Sequence, residues 1–163
     1  MSFFCLALTL PLGAYADADA LARNCANCHG LTGTSSGKLI PNIGGQRENY
    51  LSHVLLEFKQ GKRPTVFMER LAKGYTDQEL EAVALYFARL NWSPSEQVTD
   101  PRLVERGREL AQARCVSCHG GSGRPESGSA PRIAGQWAEY LQDELAKFMS
   151  PQMQMPDPGM LKA

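Results

Sequence analysis

The feature that most limits how this chain can fold is that it repeats itself. From Cys25 onward residues recur at a constant offset of 90 positions, so that Cys25 returns as Cys115, Cys28 as Cys118, His29 as His119, Gly30 as Gly120 and Gly33 as Gly123. The register holds without a gap through Pro41 and Pro131, Ile43 and Ile133, Gly45-Gln46 and Gly135-Gln136, Tyr50-Leu51 and Tyr140-Leu141, Leu55 and Leu145, and Phe58 and Phe148. An internal repeat of this length means two copies of one folding unit. The seam lies from Asn91 to Pro101, where Asn, Ser, Pro and Asp cluster and apolar periodicity stops. The expected organisation is therefore a leader at 1–18, a first domain at 19–92, a linker at 93–100 and a second domain at 101–163.

Inside each copy the apolar residues follow a helical period. Tyr50, Leu51, Val54, Leu55 and Phe58 form one stripe, ending at Gly61, a natural C-terminal cap. Thr76 and Glu79 form a capping box ahead of a second stripe, Leu80, Val83, Ala84, Phe87 and Leu90. The second copy carries Leu103, Val104, Gly107, Leu110 and Ala111 before its cysteines, and Trp137, Tyr140, Leu141, Leu145 and Phe148 after them. No segment alternates as a strand would, so the expected fold class is all-α. Each unit has only about 65 to 75 residues, a size at which a protein core alone is marginal. A bound apolar group would supply the missing volume.

The repeated motif says which group. Cys25-Ala26-Asn27-Cys28-His29 and Cys115-Val116-Ser117-Cys118-His119 both read Cys-x-x-Cys-His, the attachment pattern for haem c. Two thiols about one helical turn apart can both add to the vinyl groups of one porphyrin, and the following imidazole then reaches the iron. A zinc site would need the two pairs to converge across the 86 residues between Cys28 and Cys115, and zinc gives no reason for a His after each pair. Redox disulfides of the thioredoxin kind expect a strand and helix context that neither motif has. The reading is two covalent haems, with Cys25, Cys28, Cys115 and Cys118 as attachment sites and His29 and His119 as iron ligands.

A sixth ligand is then needed. His53 is the one His outside the motifs, its counterpart is Asp143, and a single His cannot serve two irons. It reads as a surface or structural residue. Methionine, whose thioether favours ferrous iron, is the better candidate. Met68 is the only Met of the first copy. The second copy offers Met149, Met153, Met155 and Met160. Met149 falls too early to match Met68, and the repeat offset carries Met68 onto Pro158, which barely separates Met155 from Met160. Met160 is preferred, with Met155 and then Met153 as alternatives.

The first 18 residues resemble a secretory leader, apolar from Phe3 to Leu12 and followed by Ala14, Ala16 and Ala18, although no Lys or Arg precedes the apolar run. Cleavage after Ala16 or Ala18 would remove Cys5 and leave four cysteines. The apolar run is too short to span a bilayer, so the mature chain is expected to be exported to the periplasm without a transmembrane segment. Seventeen basic residues balance seventeen acidic ones, which gives no global electrostatic case for nucleic acid or anionic lipid as partner. No catalytic triad, phosphate loop, flavin fingerprint or paired carboxylate site is present, and an iron with both axial positions filled leaves no place for substrate. The expected role is electron transfer, with no catalytic residues. A haem enzyme with an open iron survives only for the second haem, if none of its methionines binds.

These residues resemble a known group. The haem motifs, Pro41 to Gln46, Tyr50-Leu51, Phe58 to Arg63 and their second-copy partners are similar to the dihaem cytochrome c4 family. Met68 to Tyr75, Ala134 to Trp137 and Tyr140 to Gln142 resemble more closely the dihaem cytochrome subunit of flavocytochrome c sulfide dehydrogenase. The resemblance covers roughly 19–160. It implies that Met68 is an axial ligand, that the carbonyls of Pro41 and Pro131 hold the proximal imidazoles, and that Met160, after Asp157-Pro158, is the second distal ligand. It implies either a flavoprotein of sulfide oxidation as partner, or a free-standing or membrane-associated carrier serving a terminal oxidase. It also implies a closing helix in each domain. Thr76 to Leu90 is that helix in the first copy, whereas the second copy looks C-terminally incomplete and leaves the helix around Gly107 without a partner.

Overall fold

Seven helices form among the residues that the computed structural model describes, 13–126 and 130–151, with side chains from residue 18. In the first copy they are α1 (Gly13–His29), α2 (Glu48–Lys59), α3 (Met68–Ala72) and α4 (Asp77–Ala88); in the second, α5 (Pro101–Arg114), α6 (Val116–His119) and α7 (Ala138–Phe148). No strand occurs among the described residues. The repeat is visible in the order of elements, since α7 answers α2, and α5 with α6 answers α1.

The helix ends follow from local chemistry. After α2, Gly61 takes a φ of +70°, its N–H donates to the Phe58 carbonyl at 3.1 Å, and Lys62 N–H donates to the Glu57 carbonyl at 2.9 Å. This pair of bonds is a Schellman cap, which needs a left-handed residue at Gly61. At the start of α4, the Thr76 hydroxyl accepts from Glu79 N–H at 3.2 Å, while the Glu79 carboxylate accepts from Thr76 N–H at 2.7 Å. Asp100 caps α5 by accepting from Arg102 N–H at 2.8 Å, and Pro101 fits the first turn because it has no N–H to leave unpaired.

The apolar core sits in the first domain, where α4 packs on both α1 and α2. Ala22 of α1, Leu51 of α2, and Val83, Ala84 and Phe87 of α4 are buried together, with Leu21, Cys25, Ile43, Tyr50, Leu55 and Leu90 around them. Cys25 therefore stands at the rim of this core, which positions the first motif. In the second domain α5 has no buried residue. Leu103, Val104 and Leu110 are exposed, and a Cβ on Gly107 would meet nothing within 4 Å. The close helix crossing that Gly107 invites is not made among the described residues.

The two domains dock through the segment read as a linker and through the loops that follow each Cys-x-x-Cys-His motif. Ser95 N–H donates to the Gly135 carbonyl at 2.8 Å. Asn42 Nδ2 donates to the Ser93 carbonyl at 3.2 Å and to Ser95 Oγ at 3.1 Å. Gln97 bonds the backbone at Gln136 and Ala138. Residues 93–100 are thus fastened to both domains and help build the interface.

Candidate functional site

The site in each domain is set by how a helix ends. α1 carries Cys25 and Cys28 on successive turns and closes on His29, whose ring is buried. Gly30 then reverses the chain with a φ of +79°, in a place where any Cβ would lie 2.2 Å from the Thr34 carbonyl oxygen. Only glycine fits there. The loop so formed brings Pro41 back over the helix end, and His29 Nδ1 donates to the Pro41 carbonyl at 2.8 Å. Since a carbonyl can only accept, the ring proton is on Nδ1 and the Nε2 lone pair is free to ligate. Burial pulls the His29 pKa below its usual value, against a smaller raising effect of the Pro41 hydrogen bond, so the ring is neutral as ligation requires.

The second domain repeats this geometry. Gly120 has a φ of +77°, a Cβ there would lie 2.5 Å from the Arg124 carbonyl oxygen, and His119 Nδ1 donates to the Pro131 carbonyl at 2.9 Å. One difference is local: α5 ends at Cys115 and a new short turn, α6, carries Cys118 and His119. A cleft beside it is lined by Val116, Cys118, Gly120, Arg124 and Pro125.

The donor set suits a covalent haem. The four motif cysteines are free thiols, with Cys25 and Cys115 half-buried and Cys28 and Cys118 exposed. Burial pushes the Cys25 thiol pKa up. Among the described residues no three of His, Cys, Asp and Glu come together as a metal-holding group, so the two cysteine pairs do not converge as zinc would require. Large apolar side chains stand exposed close in sequence to the expected ligands: Leu31 and Leu39 after His29, and Val66, Phe67 and Leu71 around Met68. They offer the apolar surface that a porphyrin needs.

Met68 is half-buried and opens α3, its N–H donating to Thr65 Oγ1 at 3.2 Å. Met149 is exposed at the end of α7. Met153, Met155 and Met160 lie outside the described residues. His53 is exposed, with Nε2 3.2 Å from Glu57 Oε1 on the same helix, as a surface histidine would be.

Between the domains lies an arrangement that the motifs did not announce. Gln136 Oε1 accepts from Asn42 N–H at 2.9 Å, and its Nε2 donates to the Asn42 carbonyl at 3.0 Å. Its repeat partner Gln46 does the same in the opposite sense, accepting from Arg132 N–H at 2.8 Å and donating to the Arg132 carbonyl at 2.9 Å. Nearby, the Arg63 guanidinium of the first domain pairs with Glu144 of the second and lies over the rings of Phe58 and Phe148, at 5.7 and 5.6 Å. The Tyr50 and Tyr140 phenols bond each other in the same region. Burial raises both pKa values, Tyr140 well above its usual range. The equality of Gln46 and Gln136 in the repeat was the available signal. Arg63 and Glu144 left none, because their repeat counterparts, Met153 and Val54, are uncharged.

Comparison with known proteins decides the family. The pattern described as Cytochrome c matches residues 16–91 and again 104–160. The chain belongs to the cytochrome c family. Cytochrome c4 from Pseudomonas aeruginosa is 32% identical over 166 residues, an alignment spanning 91% of this chain and 82% of that protein. The cytochrome subunit of sulfide dehydrogenase from Chlorobaculum tepidum is 42% identical over 73 residues, 45% of this chain and 66% of that protein. The crystal structure of reduced recombinant cytochrome c4 from Pseudomonas stutzeri superposes with a TM-score of 0.81 at 25% identity, covering 91% of this chain and 87% of that one. This cytochrome is accordingly an all-α, two-domain, cytochrome c4-like electron carrier with two covalently bound haem c groups. No described helix is long and apolar enough to cross a membrane.

Proposed function

We propose that the cytochrome is exported to the periplasm and accepts electrons from a flavoprotein of the sulfide dehydrogenase type. Its leader would be 1–18 and its domains 19–92 and 101–163, joined by 93–100. Cys25 and Cys28 hold one haem and Cys115 and Cys118 the other, with His29 and His119 as proximal ligands. Met68 is the distal ligand of the first and Met160 of the second, ahead of Met155 and Met153. Bound haem c supplies a one-electron ferric/ferrous couple. The chain's part is to hold each imidazole neutral and oriented through Pro41 and Pro131, and to keep the two domains in one relative position.

The observation that carries the partner is the 42% identity over 73 residues to a sulfide dehydrogenase cytochrome subunit, higher than the 32% to cytochrome c4. A flavin yields electrons in pairs and a haem accepts one, so two haems match the donor. Beside Met68, Arg70, Leu71 and Lys73 form an exposed face of mixed charge and apolar character, suited to a fitted contact. A second reading, a cytochrome c4-type carrier serving a terminal oxidase, is favoured by the near full-length match to cytochrome c4.

Affinity capture of the native protein tests this. A one-to-one complex with a flavoprotein that survives moderate salt and is weakened by Arg70→Glu supports the first reading. A monomer that reduces a terminal oxidase and ignores flavoprotein establishes the second. The ligands are tested by removing both cysteines of one motif, which should leave one acid-acetone-resistant haem, and by Met68→Ala, which should abolish the far-red charge-transfer band of one ferric haem.

A further inference from the structure

The carbonyl of Pro41 and the N–H of Asn42 belong to one planar peptide unit. His29 Nδ1 donates to the carbonyl end at 2.8 Å, and the N–H end donates to Gln136 Oε1 at 2.9 Å. The Pro131–Arg132 peptide stands the same way between His119, at 2.9 Å, and Gln46 Oε1, at 2.8 Å. Both glutamines are almost fully buried, 4% and 5% exposed, so no water competes for these bonds. Each chain of bonds begins at the motif histidine of one domain and ends on a side chain of the other.

A hydrogen bond accepted from one end of an amide pushes electron density toward its oxygen, and such chains strengthen cooperatively in a low-dielectric interior. A more negative Pro41 oxygen draws the Nδ1 proton of His29 more strongly and makes Nε2 a better donor. A better donor favours the ferric state and lowers the reduction potential. We infer that Gln136 and Gln46 are crossed positioning residues: each tunes the proximal histidine of the opposite domain through the peptide that follows its proline. The inference rests on the assignment of His29 and His119 as proximal ligands. It makes docking of the domains a condition for the potential of each haem, because neither glutamine can act across a separated pair. Gln136 Oε1 also accepts from Trp137 N–H, and Gln46 Oε1 from Arg47 N–H. These backbone bonds hold each amide in place, so that it acts as a fixed acceptor.

The test is proton NMR of the reduced holoprotein together with redox titration. In the wild type both Nδ1 protons should appear at haem-shifted positions; their absence removes His29 and His119 as ligands and overturns the inference with them. In Gln136→Leu the His29 Nδ1 proton should move upfield and the potential of that haem rise, with the His119 signal in place. Gln46→Leu should do the reverse. Gln136→Glu puts a stronger acceptor against Asn42 N–H and should move the His29 proton downfield and lower the potential of that haem; it also serves if the leucine variant fails to fold, and an unmoved His29 proton there overturns the inference. Shifts confined to the histidine of the mutated domain, or equal at both histidines in each variant, overturn the crossed assignment while leaving the ligands intact.

Discussion

The two domains present nearly the same site on very different supports. In the first, α1 is locked beneath α4 by Ala22, Val83, Ala84 and Phe87. In the second, the equivalent α5 has no buried residue, and its Leu103, Val104 and Leu110 are exposed. Even Trp137, a buried apolar side chain of the second copy, donates its indole N–H to the Ser35 carbonyl of the first. Yet the histidine-to-proline bonds differ by only 0.1 Å, 2.8 against 2.9 Å. The loop after each motif is held by its own glycine turn and by the neighbouring domain, so its geometry does not depend on a helix crossing within its own domain.

The largest expected effect is on the core that only one side has. Phe87→Ala should destabilise the first domain by about 3–5 kcal/mol, whereas Leu110→Ala on exposed α5 should change stability by no more than about 0.5 kcal/mol. Calorimetry of the two variants reads this directly, and equal losses would erase the contrast. Next comes the interface. Arg63→Ala leaves the Glu144 carboxylate with Lys147, 2.9 Å away on its own helix, as its remaining cation and should cost about 1–3 kcal/mol of domain docking. Small-angle scattering should then show a larger radius of gyration, and an unchanged one would mean that the glutamine pair suffices.

The exposed apolar face of α5 also predicts that the second domain melts before the first; coincident melting of both would refute the asymmetry. The smallest effect concerns the cap of α4, where Thr76→Ala should cost about 1 kcal/mol. The bonds from Thr76 hold the Glu79 carboxyl below its usual pKa. Its folded pKa being the lower one, its contribution is present above the ordinary Glu range and is lost as pH falls through the depressed value. Thr76→Ala should therefore flatten the acid side of the stability profile of the first domain, and an unaltered slope would show that the box does not set it.

Much of this molecule was legible in order of residues. The Thr76 and Glu79 cap, the Gly61 stop and the stripe from Tyr50 to Phe58 are local signals, and α4 and α2 begin and end where they point. Met68 opens the short helix α3, which no cap or stripe in the sequence marks. Residues 93–100 read as a linker because they lie in the seam from Asn91 to Pro101, where Asn, Ser, Pro and Asp cluster and apolar periodicity stops. Composition cannot tell a free tether from a strap, and only Asn42, Gly135 and Gln136 facing it make it the latter.

What the sequence determined alone is therefore what short-range geometry controls: two Cys-x-x-Cys-His turns, their following glycines, the helices and their caps, and the duplication that makes them two domains. Each depends on residues a few positions apart, so each leaves a pattern in the text of the chain. The tertiary structure decided the rest. Gln46 reaches Arg132, Gln136 reaches Asn42, and Arg63 meets Glu144 between Phe58 and Phe148. These partners stand far apart along the chain and in opposite copies. Nothing periodic marks such pairs, because the free energy that selects them, satisfaction of buried amides and of a buried charge, exists only once the two domains are face to face.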